Sequence, residues 1–124
     1  MVKTLIVDDN ASFRQLLRGI LHTRFPSMEI EEAGDGKGAM AKLRSFHPGL
    51  VFMDIKLPGE NGLELTKKIK ADSPIVIVII LTSYDLPEYR EAAVQYGANH
   101  FLTKGSATGD EIAELVRSLQ PGAK

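Results

Sequence analysis

Short apolar runs rich in β-branched residues alternate along this chain with longer stretches that repeat apolar residues at helical spacing. This alternation is typical of βαβ units, in which a helix returns the chain so that the next strand can pair in parallel with an earlier one. Right-handed connections, and the need to cover both faces of a parallel sheet, favour a doubly wound three-layer sandwich. The sequence therefore predicts an α/β fold with five parallel strands and five helices.

The predicted strands each open one βα unit, with no repeat or linker between them. They cover Lys3 to Val7, Glu29 to Ala33, Leu50 to Met53, Ile75 to Leu81 and His100 to Leu102. The acid and apolar alternation of the second strand indicates a sheet edge, and the apolar fourth strand indicates an interior position. Residues 1–120 are predicted to form one domain, and residues 121–124 are predicted to be a tail or the start of a linker.

The predicted helices show capping residues and apolar stripes. Asn10 is a plausible N-cap for a helix from about Ala11 to Thr23, and Gly97 is predicted to cap the end of the fourth helix. The last helix is predicted from about Thr108 to Leu119. The apolar stripe of the first helix consists of Phe13, Leu16, Leu17, Ile20 and Leu21.

Composition excludes several classes of protein. The 124 residues carry a formal net charge of −1, so no basic stripe is available to bind nucleic acid directly. The chain has no cysteine, which excludes a disulfide framework and a thiolate zinc site. The N-terminus turns acidic too early for a signal peptide, and the longest apolar run is too short to span a bilayer. We therefore expect a cytoplasmic domain without membrane contact.

Polar residues follow the strands at their carboxyl ends. Asp8 and Asp9 follow the first strand, and Asp54 follows the third. Thr82 and Lys104 follow the last two strands. Because the carboxyl ends of parallel strands meet at one edge of the sheet, these side chains should converge there. Such a cluster offers a nucleophilic carboxylate, a divalent metal site and two groups for phosphoryl oxygens, which are the parts needed for phosphoryl transfer.

Each of these residues also has a simpler interpretation when taken alone. An Asp-Asp pair before a helix often complements the helix dipole, and Asp54 could be an ordinary loop acid. Thr82 could merely end a strand, and Lys104 could be solvated on a loop. A lysine on a loop at the edge of the sheet should contribute little to folding.

The motifs Val7-Asp8-Asp9-Asn10, Asp54 followed by Pro58-Gly59, Leu81-Thr82-Ser83 and the segment from Gly97 to Lys104 carry a family resemblance. With this spacing the whole chain resembles the receiver domains of bacterial two-component response regulators. The segment around Lys104 is most similar to receivers that precede helix-turn-helix output domains of the LuxR type. The resemblance implies a flavodoxin-like fold with strand order 2-1-3-4-5.

The resemblance also implies a metal-dependent phosphorylation site. Asp54 would be the phosphoacceptor. Asp8 and Asp9 would hold Mg²⁺ or Mn²⁺, helped by the Asp54 carboxylate and the backbone carbonyl of Lys56.

Further roles follow from the same resemblance. Thr82 and Lys104 would each bind a phosphoryl oxygen, and Phe101 lies at the position of the family's switch aromatic residue. Lys56 and Tyr84 lie two residues beyond the phosphoacceptor and the hydroxyl, where they would tune the lifetime of the phosphorylated state. An aromatic residue in a short strand is also commonly a core residue, so Phe101 keeps that alternative.

The implied partners are a sensor histidine kinase or phosphotransfer protein that supplies the phosphoryl group, and an output domain or effector protein. The resemblance also allows a phosphorylation-dependent homodimer. The domain would take part in its own phosphorylation and dephosphorylation without being an enzyme for a separate metabolite. We expect the receiver of a transcriptional response regulator, and a stand-alone single-domain regulator is the alternative.

Two other classes share parts of the pattern. A flavodoxin-like electron carrier would need a phosphate cradle after the first strand, where Asp8 and Asp9 would repel phosphate. A phosphatase with an aspartate nucleophile shares the metal and carboxylate chemistry, but it would place an Asp-x-Asp arrangement after the first strand. That arrangement is absent here.

Overall fold

A computed structural model of the chain describes residues 3–119. The last residue of the predicted domain, Gln120, and the predicted tail at 121–124 lie outside the described residues. The strands are β1 (Thr4–Val7), β2 (Ile30–Ala33), β3 (Leu50–Met53), β4 (Lys56–Leu57), β5 (Glu60–Asn61), β6 (Ile77–Thr82) and β7 (His100–Thr103). The helices are α1 (Ala11–Arg24), α2 (Gly36–Phe46), α3 (Gly62–Asp72), α4 (Pro87–Gln95) and α5 (Gly109–Leu119).

Five parallel strands form the main sheet in the order β2-β1-β3-β6-β7. This confirms the doubly wound α/β fold and, counted over the five predicted strands, the order 2-1-3-4-5. β2 lies at an edge and β6 lies inside the sheet, as their sequence patterns predicted. The carboxyl ends of β1, β3, β6 and β7 lie along one edge, which we call the rim.

Each face of the sheet has its own apolar core, because successive side chains of a strand point to opposite faces. One face packs against α2, α3 and α4 through residues such as Val51, Ile80 and Leu65. The other packs against α1 and α5 through residues such as Phe52, Leu17 and Val116. The fold is therefore the predicted three-layer sandwich. None of the described helices is long and apolar enough to cross a membrane.

The first helix has the predicted cap but a narrower apolar stripe. The side chain of Asn10 accepts a hydrogen bond from the Phe13 amide, as an N-cap does. Leu17 and Leu21 are buried, whereas Leu16 is 60% exposed. Leu16 belongs to the predicted stripe but lies at its flank, at the mouth of a groove between α1 and α5.

Several predicted boundaries shift by one or two residues, and two of these shifts have a clear local cause. The fourth predicted strand begins at Ile77 rather than Ile75, because Ile75 lies in a turn after Pro74 and is 91% exposed. The C-cap of α4 is Tyr96, and Gly97 is the next residue, with a φ of 96°. That left-handed conformation suits glycine, and the C-cap lies one residue before the predicted position.

A short antiparallel hairpin, which the sequence analysis did not predict, follows the third strand. β4 and β5 pair across the Pro58-Gly59 turn, and Gly59 has a φ of 74°. Gly62 then begins α3 directly against the backbone of Asp54, where an added Cβ would lie 1.8 Å from the Asp54 carbonyl oxygen. A glycine at position 62 is therefore required for the hairpin to fold back beside Asp54.

Candidate functional site

Asp8 and Asp54 lie side by side at the rim because the strands before them pair. Val7 of β1 is in register with Met53 of β3, and the Asp54 amide donates to the Val7 carbonyl at 3.0 Å. Asp8 is 2% exposed and Asp54 is 6% exposed. The Asp54 carboxylate also accepts a hydrogen bond from the Ile55 amide at 2.8 Å. Two buried carboxylates therefore occupy one point on the edge of the sheet.

Lys104 supplies the positive charge between these two acids. Its Nζ lies 2.7 Å from Asp8 Oδ2 and 3.2 Å from Asp54 Oδ2. The Lys104 amide donates to the Thr82 carbonyl, which fixes the start of the loop after β7. The side chain is only 16% exposed, and its Nζ lies 4.2 Å from the ring centroid of Phe13. Lys104 is therefore not the solvated loop residue that a lysine in that position could have been.

The pKa values of Asp8 and Lys104 are both raised. Burial raises the pKa of Asp8, and the Asp54 charge adds to that rise despite opposing hydrogen bonds from Lys104 and the Asn10 amide. Burial by itself lowers the pKa of Lys104, but the hydrogen bond to Asp8 and the charges of both acids outweigh it and raise that pKa. The site therefore favours any further cation that can reach it.

Asp9 completes a group of three carboxylates. Oxygens of Asp8, Asp9 and Asp54 lie within 4.8 Å of one another, and Asp9 is the exposed member. Carboxylate oxygens at this spacing are the ligands that Mg²⁺ and other hard divalent cations prefer. The donor set and its surplus negative charge fit a divalent cation bound at the open side of the cluster.

The predicted hydroxyl and the two predicted flanking residues lie beside this cluster. Thr82 is fully buried at the end of β6, and its Oγ accepts a hydrogen bond from the Tyr84 amide at 3.3 Å. Tyr84 is 44% exposed, and the Lys56 ammonium lies 5.2 Å from the centroid of its ring. Lys56 also approaches the Tyr89 ring, at 5.5 Å. The hairpin after Asp54 is thereby joined by cation–π contacts to the loop after β6, through Tyr84, and to α4, through Tyr89.

Phe101 lies in β7 between core and surface. Its ring is partly buried against the core that includes α3 and α4. The Arg90 guanidinium lies 4.5 Å from the ring centroid, and Arg90 Nε is paired with Asp85 in the loop after Thr82. Phe101 is therefore in contact, through Arg90, with the loop that follows the hydroxyl residue.

Sequence reasoning missed two residues of the site. Phe13 belongs to the apolar stripe predicted for α1, yet its ring lies under the Lys104 ammonium. Arg14 was not considered, yet its Nη1 donates to the Asp8 carbonyl oxygen. Helical side chains point back towards the N-terminus, so a long cation four residues after the Asn10 cap was a usable signal.

Comparison with known proteins agrees with the geometry. The family model described as the response regulator receiver domain matches residues 4–117. The chain belongs to the response regulator receiver domain family. This membership confirms the resemblance, and it sets aside the flavodoxin-like carrier and the aspartate-nucleophile phosphatase.

The chain is similar to parts of longer curated proteins. It is 35% identical to the uncharacterized transcriptional regulatory protein YesN of Bacillus subtilis, over 94% of this chain and 34% of YesN. The chain spans between about a third and about half of the length of the first curated relatives it matches. Receiver domains of this kind are phosphoacceptor signalling modules, and several curated relatives are transcriptional regulators.

Solved structures are similar over nearly the whole receiver. A DNA-binding response regulator of the LuxR family from Staphylococcus aureus has a TM-score of 0.85 at 26% identity, covering 94% of this chain and 96% of that chain. The Mn²⁺-bound form of response regulator Rcp1 has a TM-score of 0.80 at 25% identity, covering 96% of this chain and 94% of that chain.

Proposed function

We propose that this receiver accepts one phosphoryl group on the carboxylate of Asp54 and thereby changes which partner it binds. The observation that supports this most directly is the position of Asp54, buried between the Ile55 amide and the Lys104 ammonium at the centre of the rim. A phosphohistidine of a sensor histidine kinase or phosphotransfer protein, or a small acyl phosphate, would be the donor.

In the transfer step, an oxygen of Asp54 attacks the phosphorus and the bond from phosphorus to the donor breaks. An imidazole or a carboxylate leaves, and Asp54 becomes an acyl phosphate. The Ile55 amide holds Oδ1 and Lys104 holds Oδ2, so the carboxylate is oriented before the donor arrives. Lys104 also supplies positive charge where the phosphoryl oxygens would lie.

Asp8 and Asp9, with Asp54 and the backbone carbonyl of Lys56, would hold Mg²⁺ or Mn²⁺. The cation would neutralise charge on the transferring phosphoryl oxygens. The three converging carboxylates support this assignment, as does the Mn²⁺-bound form of the similar regulator Rcp1.

The switch step would begin at Thr82. A phosphoryl group on Asp54 adds acceptor oxygens at the rim, which can draw the Thr82 hydroxyl inward. The loop after Thr82 carries Asp85, whose partner Arg90 covers the ring of Phe101. Phe101 would move into the space that Thr82 leaves, and the surface formed by α4 and β7 would change.

We further propose that the partners are a histidine kinase or phosphotransfer protein upstream and an output domain or effector downstream, in the cytoplasm. A transcriptional output is supported by relatives such as YesN, and a stand-alone regulator is the alternative. Residues 1–120 would form the receiver and 121–124 a tail or linker. We also propose a phosphorylation-dependent homodimer, and no turnover of a separate metabolite.

Phosphorylation with acetyl phosphate and Mg²⁺ tests the proposal. Intact mass spectrometry should show one added phosphoryl group on the parent and none on Asp54→Asn. Asp72→Asn is the matched control, because Asp72 is an exposed acid at the far end of α3 and should leave labelling unchanged. Equal labelling of Asp54→Asn and the parent would refute the assignment of Asp54.

A further inference from the structure

Arg14 joins α1, the edge strand β2 and the first acid of the site. Its Nη1 donates to the Asp8 carbonyl oxygen at 2.5 Å, and its Nε donates to Glu32 Oε1 at 2.9 Å. The Arg14 side chain is 20% exposed and that of Glu32 is 24% exposed. The planar guanidinium can hold two acceptors in one rigid geometry, which a lysine cannot do. Arg14 is therefore placed to fix the Asp8 backbone relative to the sheet.

The remaining polar atoms of Asp8 are held by other groups. Its amide donates to the Ala33 carbonyl at 3.0 Å, and its Oδ1 accepts from the Asn10 amide at 2.9 Å. Its Oδ2 pairs with Lys104. Arg14 contacts the carbonyl and leaves both carboxylate oxygens free of its own hydrogen bonds. Its contact is thus compatible with a cation at the carboxylates, whereas Lys104 holds a carboxylate oxygen that such a cation could take.

We propose that Arg14, anchored by Glu32, is a positioning residue that holds the Asp8–Asp9 turn in the conformation that binds the divalent cation. The inference rests on the proposed metal-dependent function and deepens it. Residues that orient metal ligands from behind commonly change metal affinity by tenfold or more when they are removed. Arg14 touches neither the cation nor the phosphoryl group, and it acts through the backbone of Asp8.

Arg18 offers a matched comparison on the same helix. Its Nε donates to Glu32 Oε2 at 2.7 Å and its Nη2 donates to the Ile30 carbonyl at 2.8 Å. Arg14→Gln and Arg18→Gln each remove one positive charge and one salt bridge to Glu32. Only Arg14→Gln releases the Asp8 carbonyl. The two variants therefore separate positioning from loss of charge and from loss of stability.

Charge alone predicts the opposite result for Arg14. Removing a cation near three carboxylates removes its repulsion of a divalent ion, and this strengthens binding of the ion. Loss of positioning weakens binding, because Asp8 and Asp9 then pay an ordering cost when the ion binds. The sign of the change in affinity consequently decides between the two effects.

Calorimetric titration with Mg²⁺ alone, at fixed ionic strength and without a phosphodonor, measures this sign. We expect Arg14→Gln to weaken Mg²⁺ binding about tenfold and Arg18→Gln to change it by less than about twofold. Arg14→Lys keeps the positive charge but loses the planar guanidinium that holds two acceptors. This variant should also bind Mg²⁺ several-fold more weakly than the parent. If Arg14→Gln does not fold, as judged by its thermal transition, Arg14→Lys carries the test.

The inference would be overturned if Arg14→Gln bound Mg²⁺ as tightly as Arg18→Gln, or more tightly. If Arg14→Gln does not fold, the same comparison is made with Arg14→Lys. Failure of the proposed function would look different. In that case the parent itself would neither bind Mg²⁺ nor take a phosphoryl group from acetyl phosphate, whatever residue stands at position 14.

Discussion

Replacing Lys104 with methionine should destabilise the domain when no divalent cation is present. Methionine keeps an unbranched side chain over Phe13 but removes the ammonium that lies 2.7 Å from Asp8 and 3.2 Å from Asp54. The side chains of these acids are 3% and 7% exposed, so their charges would be left buried without a counterion. Breaking a fully buried ion pair costs about 3–5 kcal/mol.

The open side of the cluster reduces that cost, because water can reach the acids near the exposed Asp9. We therefore expect Lys104→Met to lower the free energy of unfolding by about 2–3 kcal/mol when a chelator keeps divalent cations out of the site. Mg²⁺ should restore part of the loss. At ten times its dissociation constant, a ligand that binds only the folded state adds about 1.4 kcal/mol. The gain should be larger in the variant than in the parent, because the ammonium no longer competes for carboxylate oxygens.

Urea unfolding followed by circular dichroism, with and without Mg²⁺, measures both effects. Lys42→Met is the matched control. Lys42 pairs with Glu31 at 2.5 Å, but the two side chains are 39% and 41% exposed. Its removal should cost less than about 1 kcal/mol, independently of Mg²⁺. The reasoning fails if Lys104→Met and Lys42→Met lose similar stability, or if Mg²⁺ stabilises Lys104→Met no more than the parent.

Three further outcomes are expected. Asp9→Ala should fold normally, because Asp9 is exposed, but it should bind Mg²⁺ about tenfold more weakly and be phosphorylated more slowly by acetyl phosphate. An unchanged calorimetric titration with Mg²⁺ would instead mean that Asp9 serves only the N-terminus of α1. Tyr84→Ala should lose its phosphoryl group several-fold faster, about 1 kcal/mol in barrier, whereas Tyr84→Phe should match the parent; equal decay of all three would exclude shielding by the ring. Glu32→Gln should cost about 1–2 kcal/mol at neutral pH. Burial raises the pKa of Glu32, but hydrogen bonds from Arg18 and Arg14 outweigh burial and bring the pKa below its ordinary value of 4.5. The stabilisation by Glu32 is therefore present above pH 4.5 and disappears as pH falls through the lower pKa of the folded state. Urea unfolding across pH should show parent and Glu32→Gln converging in acid, and a constant difference would contradict the pairing.

The sequence predicted the fold well because the strongest signals were local and repeated. Alternating apolar periods define βα units, and parallel pairing then brings Asp8, Asp54 and Lys104 to one edge. The predicted boundary of the fourth strand was wrong where a proline places the first predicted strand residues in a turn. Pro74 places Ile75 in a turn, and the apolar run continued through that turn without a visible break.

Contacts across the site could not be predicted in the same way, since they depend on side chains from different elements. Nothing local to Lys104 shows that Phe13 lies beneath it or that its ammonium is nearly buried. Leu16 has the helical spacing of a core residue, yet α5 packs against only part of the stripe. Spacing fixes which face of a helix a residue occupies, but not how far the neighbouring helix extends over it.

The charge of the cluster would connect the two proposed states of the domain, before and after phosphorylation. Three carboxylates and one ammonium carry a formal charge of −2, so the ammonium alone does not balance the site. A divalent cation at Asp8 and Asp9 would supply the missing charge and reduce the hold of these acids on Lys104. The ammonium already lies 3.2 Å from Asp54 Oδ2, so it would then be available to a phosphoryl oxygen on Asp54. The same lysine would in this way support the folded site before phosphorylation and bind the phosphoryl group after it.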